Sequence, residues 1–227
     1  MSSQATEEKF TPVNLVEQIA NSVERAILNG TFKMGDQLVE QEISKRFKTS
    51  RQPIREAFRV LEKRGLVTII PRKGTFVATI TWDDFEQFFP FIAVLDGLVG
   101  KIVYNTIREE TIQSLEASIE SLVKHAAEAD TRKYLVSHGE FHSILNVASG
   151  NNLLIDTLSS VRTAHSWFII THMNYSGEQF TRSIWYHKKI VEEFRRRNIG
   201  EEGMENLMRE HVLTTVEFYR SSFGKTT

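Results

Sequence analysis

The first third of the chain constrains the fold most, because its apolar side chains change from a helical to an alternating spacing. Helical spacing predicts a first helix at 15–27 and a second, shorter helix at 38–47. After a turn of only a few residues, Ser50 is a suitable N-cap for a third helix. Two strand-like runs follow, at 66–70 and 75–78, and a Gly- and Pro-containing turn separates them.

Helix, short helix, tight turn, helix and two-stranded hairpin is the order of a winged helix-turn-helix. The tight turn crosses two helices so that the N-terminal end of the later one projects, and this end can enter a DNA major groove about 12 Å wide. The hydrogen-bonding residues at that end, predicted to contact DNA, are Ser50, Arg51, Gln52 and Arg55. Arg72 and Lys73 at the hairpin tip are predicted to reach an adjacent groove or the backbone. For Arg55 the alternative is a surface ion pair with Glu56 or Glu62.

Charge is distributed unevenly along the 227 residues, although the net charge is only -1. Residues 1–80 hold 13 Lys+Arg and 9 Asp+Glu, whereas the remainder holds 15 and 20. A basic segment joined to an acidic one is typical of a nucleic-acid surface fused to a partner domain. We therefore predict a DNA-binding domain at 10–79 and a second domain at 80–222, with a disordered N-terminus at 1–9 and a flexible tail at 223–227.

Composition excludes several classes of protein. A hydrophobic content of 41% is enough to bury a core. The absence of cysteine excludes disulfides and thiolate metal sites. No secretory signal is recognisable at the N-terminus, and no run approaches the eighteen or more apolar residues of a membrane span. We expect a cytoplasmic protein with no membrane partner.

The second domain is predicted to be all-helical. Thr81 and Asp84 match a capping box that opens a helix running to about Asn105, with a kink expected at Pro90. Further helices are predicted at 109–129, 131–149, 152–174, 180–198 and 202–222. Short connections favour an antiparallel bundle of six or seven helices, so the whole chain is expected to be mainly α.

Four histidines fall on the apolar faces of three of these helices: His138, His142, His187 and His211. Neutral imidazole is the commonest protein ligand for zinc, copper and nickel, so convergence of the four would form a metal site or a pocket for an acidic ligand. The alternative is that each is a hydrogen-bonded residue of the core. The spacing alone leaves both interpretations open.

The first domain resembles the GntR family of bacterial regulators. Four runs carry the resemblance: GDQLVE at 35–40, SRQPIREA at 50–57, LEKRGLV at 61–67 and GTFV at 74–77. It implies that Arg51 and Arg55 touch DNA with Gln52 and Pro53 beside them, and that Gln41 and Gly74 lie near the DNA backbone. Many relatives carry Arg in place of Gln41, which implies a weaker phosphate contact there.

The second domain resembles the FCD effector domain of the FadR-type branch of that family. The runs EFH at 140–142 and ASGN at 148–151 are similar to the family pattern D-x-x-F-H…A-[SA]-G-N. In many members the Asp and three histidines bind a divalent metal, and an organic acid completes the site. Three histidines of this chain occupy those positions, His142, His187 and His211, while His138 stands at the Asp position.

This substitution changes the expected chemistry of the site. An all-nitrogen donor set favours Zn²⁺ or Ni²⁺ over Mg²⁺ or Mn²⁺, and it leaves the full charge of the metal available to an anionic effector. Where relatives often carry an Arg that reaches the effector carboxylate, this chain has Ile92. Arg162 is a candidate replacement in effector binding, and a surface arginine is the alternative.

These observations predict a homodimeric, ligand-responsive regulator, in particular a repressor, that binds a palindromic operator in double-stranded DNA. One alternative is a metalloenzyme that uses the histidine cluster. Against it, Glu140 is the nearest carboxylate in sequence and helical geometry directs it away from the cluster. The other alternative is a constitutive DNA-binding protein whose helical domain is purely structural.

Overall fold

The computed structural model describes residues 12–79, 81–172 and 177–223, which are mainly helical, as predicted. In chain order the elements are α1 (Pro12–Leu28), β1 (Gln37–Leu38), α2 (Glu40–Phe47), α3 (Arg51–Lys63), β2 (Val67–Ile70), β3 (Gly74–Val77), α4 (Trp82–Tyr104), α5 (Glu109–Ala127), α6 (Thr131–Ala148), α7 (Asn152–His172), α8 (Gly177–Arg196) and α9 (Gly200–Phe223). They divide into two compact units, with the division after Thr79. The segment predicted to be disordered, 1–9, lies outside the described residues, as does 224–227 of the predicted tail.

The first unit has a small core between α1 and α3. Its fully buried apolar side chains include Ile19, Ala20, Ile27, Ile54, Ala57, Phe58 and Leu61. Burying one Ile, Leu or Phe side chain stabilises a fold by about 1.5–3 kcal/mol, so this face holds the unit together. At the edge of the contact, Arg64 makes ion pairs with Glu17 at 2.8 Å and Glu24 at 2.5 Å, both on α1. This basic side chain therefore stabilises the contact between α1 and α3.

The wing is a three-stranded antiparallel sheet of order β1-β3-β2, so the predicted two-stranded hairpin has a third strand. Leu38 was expected to open the second helix, but it lies opposite Thr75 of β3, and α2 begins only at Glu40. Leu38 is buried in that strand. A two-residue strand is too short to show an alternating pattern, which is why the helical interpretation was wrong at this position. Phe47, the last residue of α2, is only half-buried.

The second unit contains α4 to α9, and its helices follow the predicted boundaries within about three residues. The predicted capping box is present: the Asp84 N–H donates to Thr81 Oγ1 at 3.2 Å, and the Thr81 N–H donates to Asp84 Oδ2 at 3.0 Å. Among the described residues, α4 is the one helix long and apolar enough to cross a membrane, with mean hydropathy 1.4. Half of that stretch is buried inside the unit, as in the core helix of a bundle.

Candidate functional site

The turn between α2 and α3 exposes the beginning of α3. Lys48 adopts the left-handed conformation with φ 50°, and the Thr49 N–H donates to the Ser44 carbonyl at 3.1 Å. Ser50 occupies the N-cap position of α3, as predicted, but its side chain makes no capping hydrogen bond. The first N–H groups of α3 therefore keep their hydrogen-bonding capacity at a helix end that favours anions.

Three of the polar residues predicted to contact DNA, Arg51, Gln52 and Arg55, are exposed along this end of α3, and each is held by a neighbouring side chain. Arg55 Nε donates to both carboxylate oxygens of Glu40, at 2.9 and 3.0 Å. Arg51 Nη2 donates to Gln41 Oε1 at 3.3 Å, so Gln41 lies beside the recognition helix. The alternative that paired Arg55 with Glu56 or Glu62 named the wrong carboxylate, because the contact crosses from α3 to α2 and no helical spacing reveals it.

Gln52 and Pro53 complete the first turn of α3. Gln52 Nε2 donates to Glu56 Oε1 at 2.9 Å, one turn further along the helix. Pro53 is half-buried. Both lie in the part of a recognition helix that approaches base edges in proteins of this architecture.

The wing tip presents a second exposed basic group. Arg72 and Lys73 lie in the turn between β2 and β3, and Arg72 has a φ of 64°. Gly74 has a φ of 115°, which side-chain-bearing residues rarely adopt. Gln37 Nε2 donates to the Lys73 carbonyl at 3.1 Å and ties β1 to the tip. The turn therefore has a defined backbone while both cationic side chains remain exposed.

The four predicted histidines converge inside the second unit. His138 and His142 come from α6, His187 from α8 and His211 from α9, and one ring nitrogen from each lies within 4.8 Å of the others. Nε2 of His142 and Nε2 of His187 are 3.3 Å apart. The rings of His142 and His211 stack, with centroids 5.5 Å apart. The i, i+4 spacing on α6 and the inward faces of α8 and α9 produce this cluster, as the sequence pattern indicated.

Burial keeps three of these imidazoles neutral, those of His142, His187 and His211. It lowers the pKa of His187 to about 3, against an ordinary value of 6.5. Burial also lowers the pKa of His142 and of His211, and the nearby Arg162 guanidinium lowers both further. A neutral imidazole carries the lone pair that a metal requires.

Asp96 of α4 and Arg162 of α7 adjoin the cluster, and sequence analysis missed the role of Asp96. Arg162 Nη2 contacts Asp96 Oδ2 and lies 3.1 Å from His142 Nδ1. Asp96 Oδ2 is itself 3.8 Å from His142 Nδ1. Glu140 is exposed, as predicted, but it is not the carboxylate nearest to the cluster, because Asp96 is buried beside it. Burial raises the pKa of Asp96, and the Arg162 guanidinium opposes that rise.

A small cavity opens beside the histidines, and its unfilled space of about 420 Å³ includes open solvent. Its polar lining includes His138, His142, His211, Arg162 and Ser183, and its apolar lining includes Phe89, Ile92, Leu135, Ile169 and Val212. Ile92 therefore lies in the cavity wall where relatives were expected to carry an Arg. Arg162 also lines the cavity, but its guanidinium is engaged by Asp96 and His142.

The residues present fit a divalent metal. The donor set is entirely nitrogen, which suits Zn²⁺ or Ni²⁺. Among the described residues, Nδ1 of His211 is a buried polar atom that makes no hydrogen bond, so a ligand there would satisfy it. The Arg162 charge beside the cluster is balanced by the Asp96 carboxylate.

Comparison with known proteins assigns both units to families. Residues 15–77 match the family described as bacterial regulatory proteins, gntR family. Residues 87–214 match the FCD domain. These two segments coincide with the winged helix and the helical unit, so each resemblance found in the sequence motifs is confirmed.

Relatives and solved structures agree with this assignment. An uncharacterized HTH-type transcriptional regulator of Bacillus subtilis, YdhC, is 32% identical over 194 residues, covering 84% of each chain. A probable D-xylose utilization operon transcriptional repressor of Paenarthrobacter nicotinovorans is 27% identical over 151 residues, covering 66% of each chain. The solved structure of E. coli McbR/YncC shares the fold with a TM-score of 0.76 at 13% identity, over 92% of this chain and 98% of that one. The chain therefore belongs to the GntR family of bacterial regulatory proteins, as a transcriptional regulator with an FCD domain and not an enzyme.

Proposed function

We propose that this regulator is a cytoplasmic, homodimeric repressor whose affinity for a palindromic operator is set by a divalent metal and a small anionic effector in the helical unit. The observation that carries the proposal is the convergence of four imidazoles beside a cavity. A purely structural bundle would not repay the cost of desolvating four polar rings at one point. Two relatives named as repressors support the sign of regulation.

His138, His142, His187 and His211 would hold the metal, with Zn²⁺ or Ni²⁺ favoured. The bound metal would supply a positive charge that attracts a carboxylate or similar anion into the cavity. The chain's own side chains position that anion: apolar groups such as Ile92 and Phe89 surround it, and Arg162 lies at the cavity wall.

DNA binding is assigned to the exposed end of α3 and to the wing tip. Arg51, Gln52 and Arg55 read base edges, while Ser50 and Pro53 set the approach of the helix. Gln41, Arg72, Lys73 and Gly74 lie along the phosphate backbone. A two-fold symmetric operator requires two copies of this surface, and α4 offers an exposed apolar stripe for pairing them: Phe91, Val94 and Leu98.

Elemental analysis and native mass spectrometry of the protein as purified test the proposal. We expect the mass of a dimer with one Zn²⁺ or Ni²⁺ per chain, and co-purified acid where the effector is retained. The double variant His142→Ala/His187→Ala should lose the metal and its metal-dependent operator binding. The matched control is His125→Ala, because His125 lies outside the cluster and its Nδ1 contacts Ser137 Oγ at 3.0 Å. A wild-type protein that takes up no metal after supplementation, or equal metal content in both variants, contradicts the proposal.

A further inference from the structure

Asp96 of α4, His142 of α6 and Arg162 of α7 form a triad. They meet at Nδ1 of His142, on the side of the ring that faces away from the cluster. Arg162 Nη2 lies 3.1 Å from His142 Nδ1 and also contacts Asp96 Oδ2. The side chains of Asp96 and His142 are 1% exposed, and that of Arg162 is 11% exposed. This triad is therefore largely shielded from solvent, and its hydrogen bonds run between its own members.

Hydrogen-bonding capacity fixes the tautomer of His142. A guanidinium group has five donors and no acceptor, so His142 Nδ1 must accept from Arg162. The single proton of the neutral ring is then on Nε2, which faces Nε2 of His187 at 3.3 Å. The nitrogen that points into the cluster therefore carries a hydrogen and has no lone pair for a metal.

Binding a metal through Nε2 reverses this arrangement. The proton leaves Nε2 and Nδ1 takes one up, so the ring stays neutral and the net proton count is unchanged. The new Nδ1–H cannot face the Arg162 donor and needs an acceptor. Asp96 Oδ2 lies 3.8 Å away, and Asp96 Oδ1 makes no hydrogen bond among the described residues. A metal-bound imidazole that donates its other N–H to a carboxylate is a common arrangement in metalloproteins.

We propose that Arg162 and the metal compete for His142, with Asp96 as the acceptor that receives the Nδ1–H when the metal binds. Arg162 holds the metal-free protein in the non-binding tautomer. Metal binding releases the guanidinium from His142 toward the cavity that it lines, where it can bind an anion. The metal and an anionic effector therefore bind cooperatively, and the coupling is reciprocal. This inference rests on the proposed metal site.

Two substitutions in one ion pair are expected to change zinc affinity in opposite directions. Arg162→Met removes the competitor and a positive charge, so zinc affinity should rise at least about tenfold. Asp96→Asn removes the carboxylate that receives the Nδ1–H and leaves Arg162 without its counter-ion, so zinc affinity should fall about 10- to 100-fold. Competition titration of the full-length protein against a chromophoric zinc chelator measures both. If the pair were merely structural, both variants would lose affinity, and that result would overturn the proposal.

A charge-matched control is available in the same unit. Arg195→Met also removes an arginine from an ion pair, with Glu116, but that pair lies on the surface. Its zinc affinity should equal that of the wild type. If zinc affinity rose as much in this control as in Arg162→Met, net charge alone would explain the effect. That result would overturn the proposal that Arg162 and the metal compete for His142.

The wild-type protein offers a test that needs no variant to fold. Long-range ¹H–¹⁵N NMR of histidine rings distinguishes a protonated from an unprotonated ring nitrogen. We expect His142 to be protonated on Nε2 in metal-free protein and on Nδ1 after zinc is added. Protonation of Nδ1 in the metal-free protein would overturn the proposal. The metal-free spectrum does not depend on whether zinc binds, so this result is distinguishable from failure of the proposed metal site.

Discussion

The Arg55–Glu40 ion pair positions the guanidinium that is proposed to face DNA. The pair can be exchanged for a contact with DNA. Glu40 lies at the start of α2, and its carboxylate receives Arg55 Nε from α3. More than half of the Arg55 side chain is exposed, so solvent screening leaves the pair weak. A bidentate contact with guanine contributes about 1–3 kcal/mol of discrimination, so it can displace the carboxylate.

Replacing Arg55 is expected to weaken specific DNA binding. Arg55→Ala should lower the affinity for a duplex selected in vitro by the wild-type protein by about 1–3 kcal/mol, and should relax base preference at one position. Fluorescence anisotropy at fixed salt measures this change. Arg59→Ala is the control, because it removes the same charge from an exposed position one turn further along α3. If both variants lost the same affinity for the duplex, Arg55 would make only a non-specific phosphate contact.

Individual residues of the metal site were predictable where a local pattern revealed them. His138 and His142 share a helix face by spacing, and His187 and His211 lie on apolar stripes, so all four could be identified. Asp96 could not, because its partners come from helices that are distant in sequence. A single acidic residue within the apolar stretch 88–100 of α4 was the available signal. The engagement of Arg162 by Asp96 was hidden for the same reason.

Close packing of α4 against α9 positions His211, one of the four histidines of the cluster. A Cβ built on Gly100 would lie 2.7 Å from Met208 Cγ and 3.3 Å from the Met204 carbonyl. Met208 is one turn before His211 on α9. The absence of a side chain at Gly100 therefore lets α9 approach α4 and brings His211 to the cluster.

Two glycine-to-alanine substitutions should have opposite effects on stability. Gly139→Ala adds a methyl group in the interior of α6, where nothing lies within 4 Å, so the free energy of unfolding should rise by about 0.5–1 kcal/mol. Gly100→Ala gains the same helix propensity, but it overpacks the α4–α9 contact, which typically costs about 1–3 kcal/mol. Urea titration compares the two, and zinc affinity should also fall in Gly100→Ala. Equal stabilisation of both would show that α9 adjusts freely.

The helices were predictable because their starts and ends carry chemical signals. The Thr81–Asp84 capping box and the turn at Gly150 lie within a residue or two of observed helix ends. Strand β1 was not predictable, because two residues are too few to show the alternation of apolar and polar side chains that identifies a strand. Its placement depends on β3, which follows more than thirty residues later and provides the hydrogen bonds.

At the scale of the whole molecule, the buried histidines link the stability of the fold to pH. Folding takes neutral imidazoles out of water, and it lowers the pKa of His187 to about 3. An unfolded chain protonates the same ring near pH 6.5. Between these values the unfolded state binds more protons, so the free energy of unfolding falls as the pH falls.

Acidification should therefore destabilise the metal-free protein. From pH 7 to pH 5, His187 alone should reduce the free energy of unfolding by about 2 kcal/mol, and His142 and His211 act in the same direction. Urea titration at the two pH values measures the loss. His187→Phe should show a smaller loss, because the phenyl ring does not titrate. An identical pH dependence in this variant would attribute the effect to carboxylates elsewhere in the protein.

The histidine cluster also has a consequence for oxidative stress. Metal sites built on thiolates lose their ligands when peroxide converts cysteine to sulfenic acid or a disulfide. This chain contains no cysteine, and the four candidate donors are imidazoles. A metal held at the proposed site would have no thiolate donor to lose to peroxide, so its occupancy would not depend on thiol oxidation.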